Sequence, residues 1–187
     1  MQDNREKVIE TAQRLLREQG YHATGIQAIL AESRVSRSNL YYHFRSKREL
    51  AEAVIARWRE GLEKQFADTI AGESSYRRQV ERFVQLFIDI QQSDTFAVCP
   101  FGRLAMELGD REPELRKRIN QVFDSFRDAL SDLIARGVAA GEFKADTDPR
   151  RLANALLVAI EGGIVLSRAQ GHAEAMADAC RLILECA

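Results

Sequence analysis

The chain has few of the residues that interrupt or cross-link a fold. Among 187 residues there are three prolines, eleven glycines, three cysteines and a single tryptophan. Three cysteines are too few for a disulfide framework and odd in number, which fits a reducing compartment. No uninterrupted apolar run approaches the ~18 residues of a membrane span. Residues Met1 to Ile9 carry charges throughout and hold no apolar stretch of signal-peptide length, so a cytoplasmic chain with no membrane partner is predicted. Neither sign of charge dominates: 27 Lys+Arg stand against 28 Asp+Glu, a formal net charge of −1. Spread evenly, that balance would speak against a nucleic-acid partner. What is present is material for a core. With 45% hydrophobic and 29% charged residues, the composition excludes both a disordered chain and a membrane bundle.

Scarce Gly and Pro leave long uninterrupted stretches, Ile26 to Glu60, Glu73 to Cys99 and Glu114 to Arg136. Such runs, without period-2 alternation, predict an all-α fold. The first helix is expected over about 4–19, with Val8, Ile9, Ala12, Leu15 and Leu16 as its apolar stripe. Asp3 with Glu6 forms a capping box at its start, and Gly20 offers a left-handed stop. Thr24 with Gln27 predicts a second capping box, Ser36 a third helix start, and Ser46 with Glu49 the start of a long helix. Further helices are expected at about 47–70, 76–92, 101–109, 113–136, 149–169 and 173–186. Pro100, Pro113 and Pro149 each stand near a helix start, where a missing N–H costs nothing.

The informative stretch runs from Thr24 to Lys47: a helix, a four-residue turn, and a short second helix whose apolar residues are Leu40 and Phe44. Its other positions, Arg37, Ser38, Asn39, Tyr41, Tyr42 and His43, all form hydrogen bonds, and Arg45, Lys47 and Arg48 follow. No acidic residue lies between Val35 and Arg48. An ordinary solvated helix face mixes Glu with Lys; an acid-free face rich in cations and polar aromatics suits phosphate. The near-neutral total conceals this. Residues 1–50 hold nine Lys+Arg against six Asp+Glu, and the remainder eighteen against twenty-two.

The segment resembles the DNA-binding domain of the TetR family of one-component transcriptional regulators, with Leu40-Tyr41-Tyr42-His43-Phe44 and Lys47 as the most recognisable string. The likeness covers about residues 4–55. It implies an N-terminal three-helix domain with a helix-turn-helix over 1–48 and a C-terminal helical domain for effector binding and dimerisation over 49–187. It also implies a homodimer on a double-stranded DNA operator, with the second helix of the motif in the major groove. Carried over by position, Arg37, Ser38 and Asn39 read base edges, with Arg37 able to contact guanine bidentately. Tyr41, Tyr42 and His43 bind phosphate, Tyr41 also reaching a base or thymine methyl. Lys47 adds its charge to a helix N-terminus at a phosphate, and Gln27 touches the backbone across the groove. The family commonly places Gly in the turn where Arg34 stands, and a non-Gly residue in a left-handed conformation costs roughly 1–2 kcal/mol.

The middle of the chain concentrates phenylalanine: Phe83, Phe87, Phe96, Phe101, Phe123 and Phe126. The resemblance makes this an effector-binding region, and some of these rings, with Cys99, are expected to line a pocket for a small, partly apolar molecule. Cys99 opens the stretch Cys99-Pro100-Phe101-Gly102-Arg103-Leu104-Ala105-Met106-Glu107, similar to one found in a subset of the family in which some members sense electrophiles through a cysteine. Packing at a helix entrance is the alternative for Cys99. From Leu152 to Leu166 the only charge is Glu161. A helix so apolar needs cover on more than one side. Leu156, Ile160 and Gly163, with Leu182 and Ile183 of the last helix, are the expected dimer interface, and Cys180 and Cys186 are expected to be buried.

No catalytic, metal or cofactor site is expected. His43 has no carboxylate to orient it, and His22 reads as exposed loop. His172 with Glu174 has a zinc-deaminase spacing, but the matching Pro-Cys-x-x-Cys is absent. Cys180 and Cys186 are about 240° apart around a helix. The predicted function is a ligand-responsive repressor, with a thiol-responsive regulator or an activator as alternatives.

Overall fold

A computed structural model describes residues 3–92, 98–109 and 111–187. These hold nine helices and no strand: α1 Asn4–Ala23, α2 Ile26–Ser33, α3 Arg37–His43, α4 Lys47–Ile70, α5 Tyr76–Gln92, α6 Pro100–Leu108, α7 Pro113–Ala139, α8 Pro149–Gln170 and α9 Glu174–Cys186. Helices α4 and α5 have the expected bounds, and α7 runs three residues past its expected end.

Most helix starts follow from local chemistry. Asp3 accepts from the Arg5 amide at 3.3 Å, Ser36 Oγ from the Asn39 amide at 3.3 Å, and Asp148 from the Arg151 amide at 3.0 Å beside Pro149. Ser46 Oγ accepts from the Glu49 amide at 3.2 Å, while the Glu49 carboxylate takes the Arg45 amide at 2.7 Å, one residue before the cap. Two expectations need correction. Helix α1 does not end at Gly20; it breaks there (φ 83°, ψ −178°) and continues for another turn. Thr24 does not cap α2. Gly25 occupies the cap without a side-chain bond, and the fully buried Thr24 hydroxyl donates to the Gly20 carbonyl at 2.6 Å. A carbonyl exposed by the break is the stronger claim on a buried hydroxyl.

The chain divides into two compact units. The first comprises Met1–Gly61 and Pro100–Val122, the second Leu62–Cys99 and Phe123–Ala187. In the first, the stripe Val8, Ala12, Leu15 and Leu16 of α1 is buried together with Ile29, Leu40 and Leu50. Trp58 meets Phe101 of α6 edge-to-face, ring centroids 6.1 Å apart.

In the second unit α8 packs chiefly on α9 and also on α5. A Cβ at Gly163 would lie 2.5 Å from Met176 Cβ, so glycine permits the close approach of α8 and α9. By length and composition α8 could cross a membrane. A count of uninterrupted apolar residues missed this because Glu161 and the Gly162-Gly163 pair interrupt the run. Its Leu152, Ala153, Leu156, Ile160 and Ile164 are buried in this unit as core residues. The start of α5 is sealed by Glu142, which accepts from Ser75 Oγ and the Arg77 amide, both at 2.8 Å.

Candidate nucleic-acid interface

Helix α3 has only seven residues, and two anchors orient it. Leu40 is fully buried and Phe44 almost so. The period of the helix then turns Arg37, Ser38, Tyr41 and Tyr42 to solvent, with Asn39 and His43 half-buried. Tyr42 is 83% exposed, an unusual state for an aromatic ring, and it stands edge-on to His43 with centroids 5.0 Å apart. The Arg37 guanidinium lies 5.8 Å from the Tyr41 ring. Ser36 and Ser38 hydroxyls are 3.2 Å apart, and Asn39 Oδ1 is buried with no hydrogen bond among the described residues. Gln27 is exposed in the first turn of α2. The turn between the helices carries Arg34 in the left-handed region (φ 55°, ψ 26°), so the strain expected of a non-Gly residue is present.

Lys47 is placed differently from a free surface cation. Half-buried, it sets its ammonium 4.2 Å from the centroid of the Tyr21 ring. Burial lowers its pKa, and the Glu107 and Glu112 carboxylates pull in the opposite direction. The Tyr21 hydroxyl donates to Glu112 Oε1 at 3.2 Å, and its pKa is pushed up to about 12, chiefly by burial and then by the Glu112 charge.

The same neighbourhood holds residues that local sequence reading did not single out for the site. The Glu107 carboxylate accepts from the Tyr21 amide at 2.9 Å and the His22 amide at 2.8 Å. Arg103, one turn earlier on α6, donates to the carbonyls of Arg17 and Glu18 at 3.0 and 3.1 Å. His22 is exposed, as expected, but not in a loop; it belongs to the last turn of α1, and its ring nitrogen lies 3.2 Å from the Glu107 carbonyl. The sequence signals were the i, i+4 pairing of Arg103 with Glu107 and the place of Glu107 at the end of the stretch opened by Cys99, and neither names a partner.

The remaining predicted residues are distributed as follows. Phe83 and Phe87 come together, 5.1 Å between centroids, with Phe66 4.9 Å from Phe83. Phe126 is buried and Phe123 half-buried in the same unit. Phe101 packs on Trp58 in the first unit. Phe96 lies outside the described residues. Cys99 is half-buried and hydrogen-bonds the Glu161 carboxyl, whose pKa burial raises against the lowering effect of that bond. Cys180 is buried, its thiol pushed up to about 11 by desolvation, but Cys186 is exposed, contrary to expectation.

The residues of the expected dimer face differ in exposure. Leu156, Ile160 and Gly163 are buried within the chain itself. Leu182 is exposed and Ile183 half-buried, and the exposed apolar residues of α8 are Val158, Val165 and Leu166.

A capped short helix with a polar, acid-free outer face, following a left-handed turn and a first helix, defines a helix-turn-helix DNA-binding protein. Residues 8–54 match the model for bacterial regulatory proteins of the tetR family, and residues 76–183 that for the tetracyclin repressor-like C-terminal domain. The HTH-type transcriptional regulator LmrA of Bacillus subtilis (strain 168) is 28% identical over 167 residues, covering 88% of this chain and 86% of LmrA. The uncharacterized HTH-type regulator YxaF of the same organism is 30% identical over 167 residues, covering 88% and 85%. A crystal structure of a TetR transcriptional regulator from Chloroflexus aurantiacus J-10-FL superposes with a TM-score of 0.88 at 29% identity, covering 97% of this chain and 92% of that one. The chain belongs to the TetR family and is a DNA-binding transcriptional regulator, not an enzyme. Regulators of this family bind DNA operators and dimerise through the C-terminal domain.

Proposed function

We propose that the chain is a cytoplasmic homodimeric repressor that binds a two-fold-related operator through residues 1–48 and leaves it when a small, partly apolar molecule enters the 49–187 domain. The observation that carries this reading is the outer face of α3, where Arg37, Ser38, Tyr41 and Tyr42 are exposed with no acidic residue between Val35 and Arg48. Arg37, Ser38 and Asn39 read base edges; Tyr41, Tyr42, His43, Gln27 and Lys47 bind the backbone. Two copies of α3 engage half-sites about 34–36 Å apart, or a multiple of that distance. The second copy is held by the exposed stripe of Val158, Val165, Leu166 and Leu182.

Repression is supported by the tetracyclin repressor-like character of the C-terminal match. Phe83, Phe87 and Phe126 offer apolar lining to an effector, with the Cys99–Glu161 pair as a polar feature of the same unit. Helix α4 runs unbroken from Lys47 to Ile70 and so belongs to both compact units, which suits it to transmit the effector's presence. Release requires that the effector bind the free and operator-bound states unequally.

The test begins with selection of a binding sequence from a randomised duplex pool and continues with a screen of small molecules for its release. A two-fold-related consensus and a releasing compound are expected. A compound that binds free and operator-bound protein equally contradicts the release mechanism. Release by an electrophile that is lost in Cys99→Ser would move the trigger to thiol chemistry, and higher transcription on binding would make the protein an activator.

A further inference from the structure

The break at Gly20 creates a problem that the first unit solves with residues from far along the chain. A helix interrupted in mid-course leaves carbonyls before the break and amides after it without partners. Helix α6 supplies both kinds of partner from one face. Arg103 donates to the carbonyls of Arg17 and Glu18, and Glu107, four residues on, accepts the amides of Tyr21 and His22. The fit leaves no room for a side chain at the break. A Cβ on residue 20 would lie 2.3 Å from Glu107 Oε2, and the φ of 83° is one that glycine alone adopts freely.

This seam lies beside both ends of the helix-turn-helix. On the N-terminal side, Tyr21 and His22 lead within three residues to Gly25, the cap of α2. On the C-terminal side, Lys47, the first residue of α4, rests its ammonium on the Tyr21 ring. The Tyr21 hydroxyl is tied in turn to Glu112, just beyond α6. Entry to and exit from the motif therefore converge on one aromatic ring, and the backbone of that ring is held by the Glu107 carboxylate.

We propose that Glu107, assisted by Arg103, is a positioning residue for operator recognition, setting the angle at which α1 delivers the helix-turn-helix and the place from which Lys47 approaches DNA. Neither side chain touches DNA; both act through Gly20, Tyr21 and Lys47. The inference rests on the reading of residues 24–48 as the DNA-binding segment. It adds to that reading a requirement for two α6 residues that lie some sixty residues further along the chain.

The test uses the full chain, the duplex that the wild-type chain selects from a randomised pool, and a scrambled duplex of the same length and salt concentration. In Glu107→Gln, an amide N–H₂ faces backbone donors in place of one carboxylate oxygen. Affinity for the selected duplex is expected to fall at least tenfold, and at least threefold more than affinity for the scrambled duplex, which loses only the share that Lys47 contributes at phosphate. Emission from Trp58, the single tryptophan, reports whether Phe101 and α6 keep their seat. With that emission unchanged, a parallel fall on both duplexes, or no fall on either, overturns the proposal. Arg103→Met serves as a milder second variant should Glu107→Gln fail to fold; it is expected to lower the ratio of selected to scrambled affinity about threefold, and an unchanged ratio overturns the proposal. If the wild-type chain enriches no sequence from the pool, it is the DNA-binding reading that fails instead.

Discussion

Around α3 the first unit exposes Arg37, Ser38, Tyr41 and Tyr42, whereas along α8 and α9 the second exposes Val158, Val165, Leu166 and Leu182. Polar side chains of the first kind are well solvated when free, so a surface built from them can release its partner at little cost. The α8 and α9 side chains lose about 25 cal/mol per Å² for as long as they stay wet, which favours a partner that remains. On the proposed reading, one surface exchanges its partner and the other keeps it. The difference teaches where a mutation should change occupancy of DNA and where it should change the assembly itself.

The largest effect should come from the apolar face. Val158→Asp combined with Val165→Asp is expected to yield monomers by sedimentation and to lower operator affinity more than a hundredfold, because the second half-site is lost. A double variant that remains dimeric would remove this face from the interface. Next comes the polar face. Arg37→Ala is expected to cost ~1–3 kcal/mol at one base pair of each half-site, read as relaxed preference at that position. Lys47→Ala is expected to weaken all sequences alike and flatten the salt dependence by about one phosphate contact. Uniform weakening in Arg37→Ala would reassign that side chain to phosphate.

A smaller contrast lies within α8. Gly163→Ala forces a methyl against Met176 and is expected to cost about 1–3 kcal/mol of stability in denaturant titration. Gly162 faces open space within the chain, so Gly162→Ala is expected to gain up to ~1 kcal/mol from helix propensity alone. A loss of dimer in Gly162→Ala would show that the second copy approaches α8 closely there.

The smallest effect separates the units by pH. The Tyr21 pKa is raised to about 12, so its contribution is complete below the ordinary phenol value and disappears as pH rises through the raised one. Glu142 is held below the usual carboxylate range by the Arg77 amide and the Ser75 hydroxyl. Its contribution is present above the ordinary carboxylate value and disappears as pH falls through the lowered one. Compared with wild type, Tyr21→Phe should flatten the alkaline limb of the stability curve and Glu142→Gln the acid limb. A wild-type limb in either variant would show that its group is not the cause.

Legibility in the sequence followed the distance over which each feature is decided. Ser36, Ser46 and Asp148 bind amides three residues away, and their caps could be read from spacing. Thr24 could not, because its hydroxyl answers to a carbonyl freed at Gly20, and that break is sealed by α6 more than eighty residues later. The phenylalanines carry no directional signal: nothing in composition sends Phe101 to Trp58 and Phe83 to Phe66. Helix α8 was recognisable as needing cover on more than one side; within the chain one face is buried, and Val158, Val165 and Leu166 stay exposed. Which side belongs to α9 depends on Gly163 meeting Met176, a tertiary fact that periodicity cannot hold when nearly every position is apolar. The outer face of α3 was legible because Leu40 and Phe44 alone decide its orientation.

Arg34 has one more consequence. The turn before α3 keeps a strained, exposed arginine where glycine would be relaxed, at roughly 1–2 kcal/mol. An exposed cation in that turn adds to the acid-free charge around the motif as the protein nears a polyanion, where Coulomb attraction acts before any contact forms. Its influence falls on the speed of encounter, not on the lifetime of the complex. Arg34→Gly is thus the change that would make the fold sturdier and the search for the operator slower.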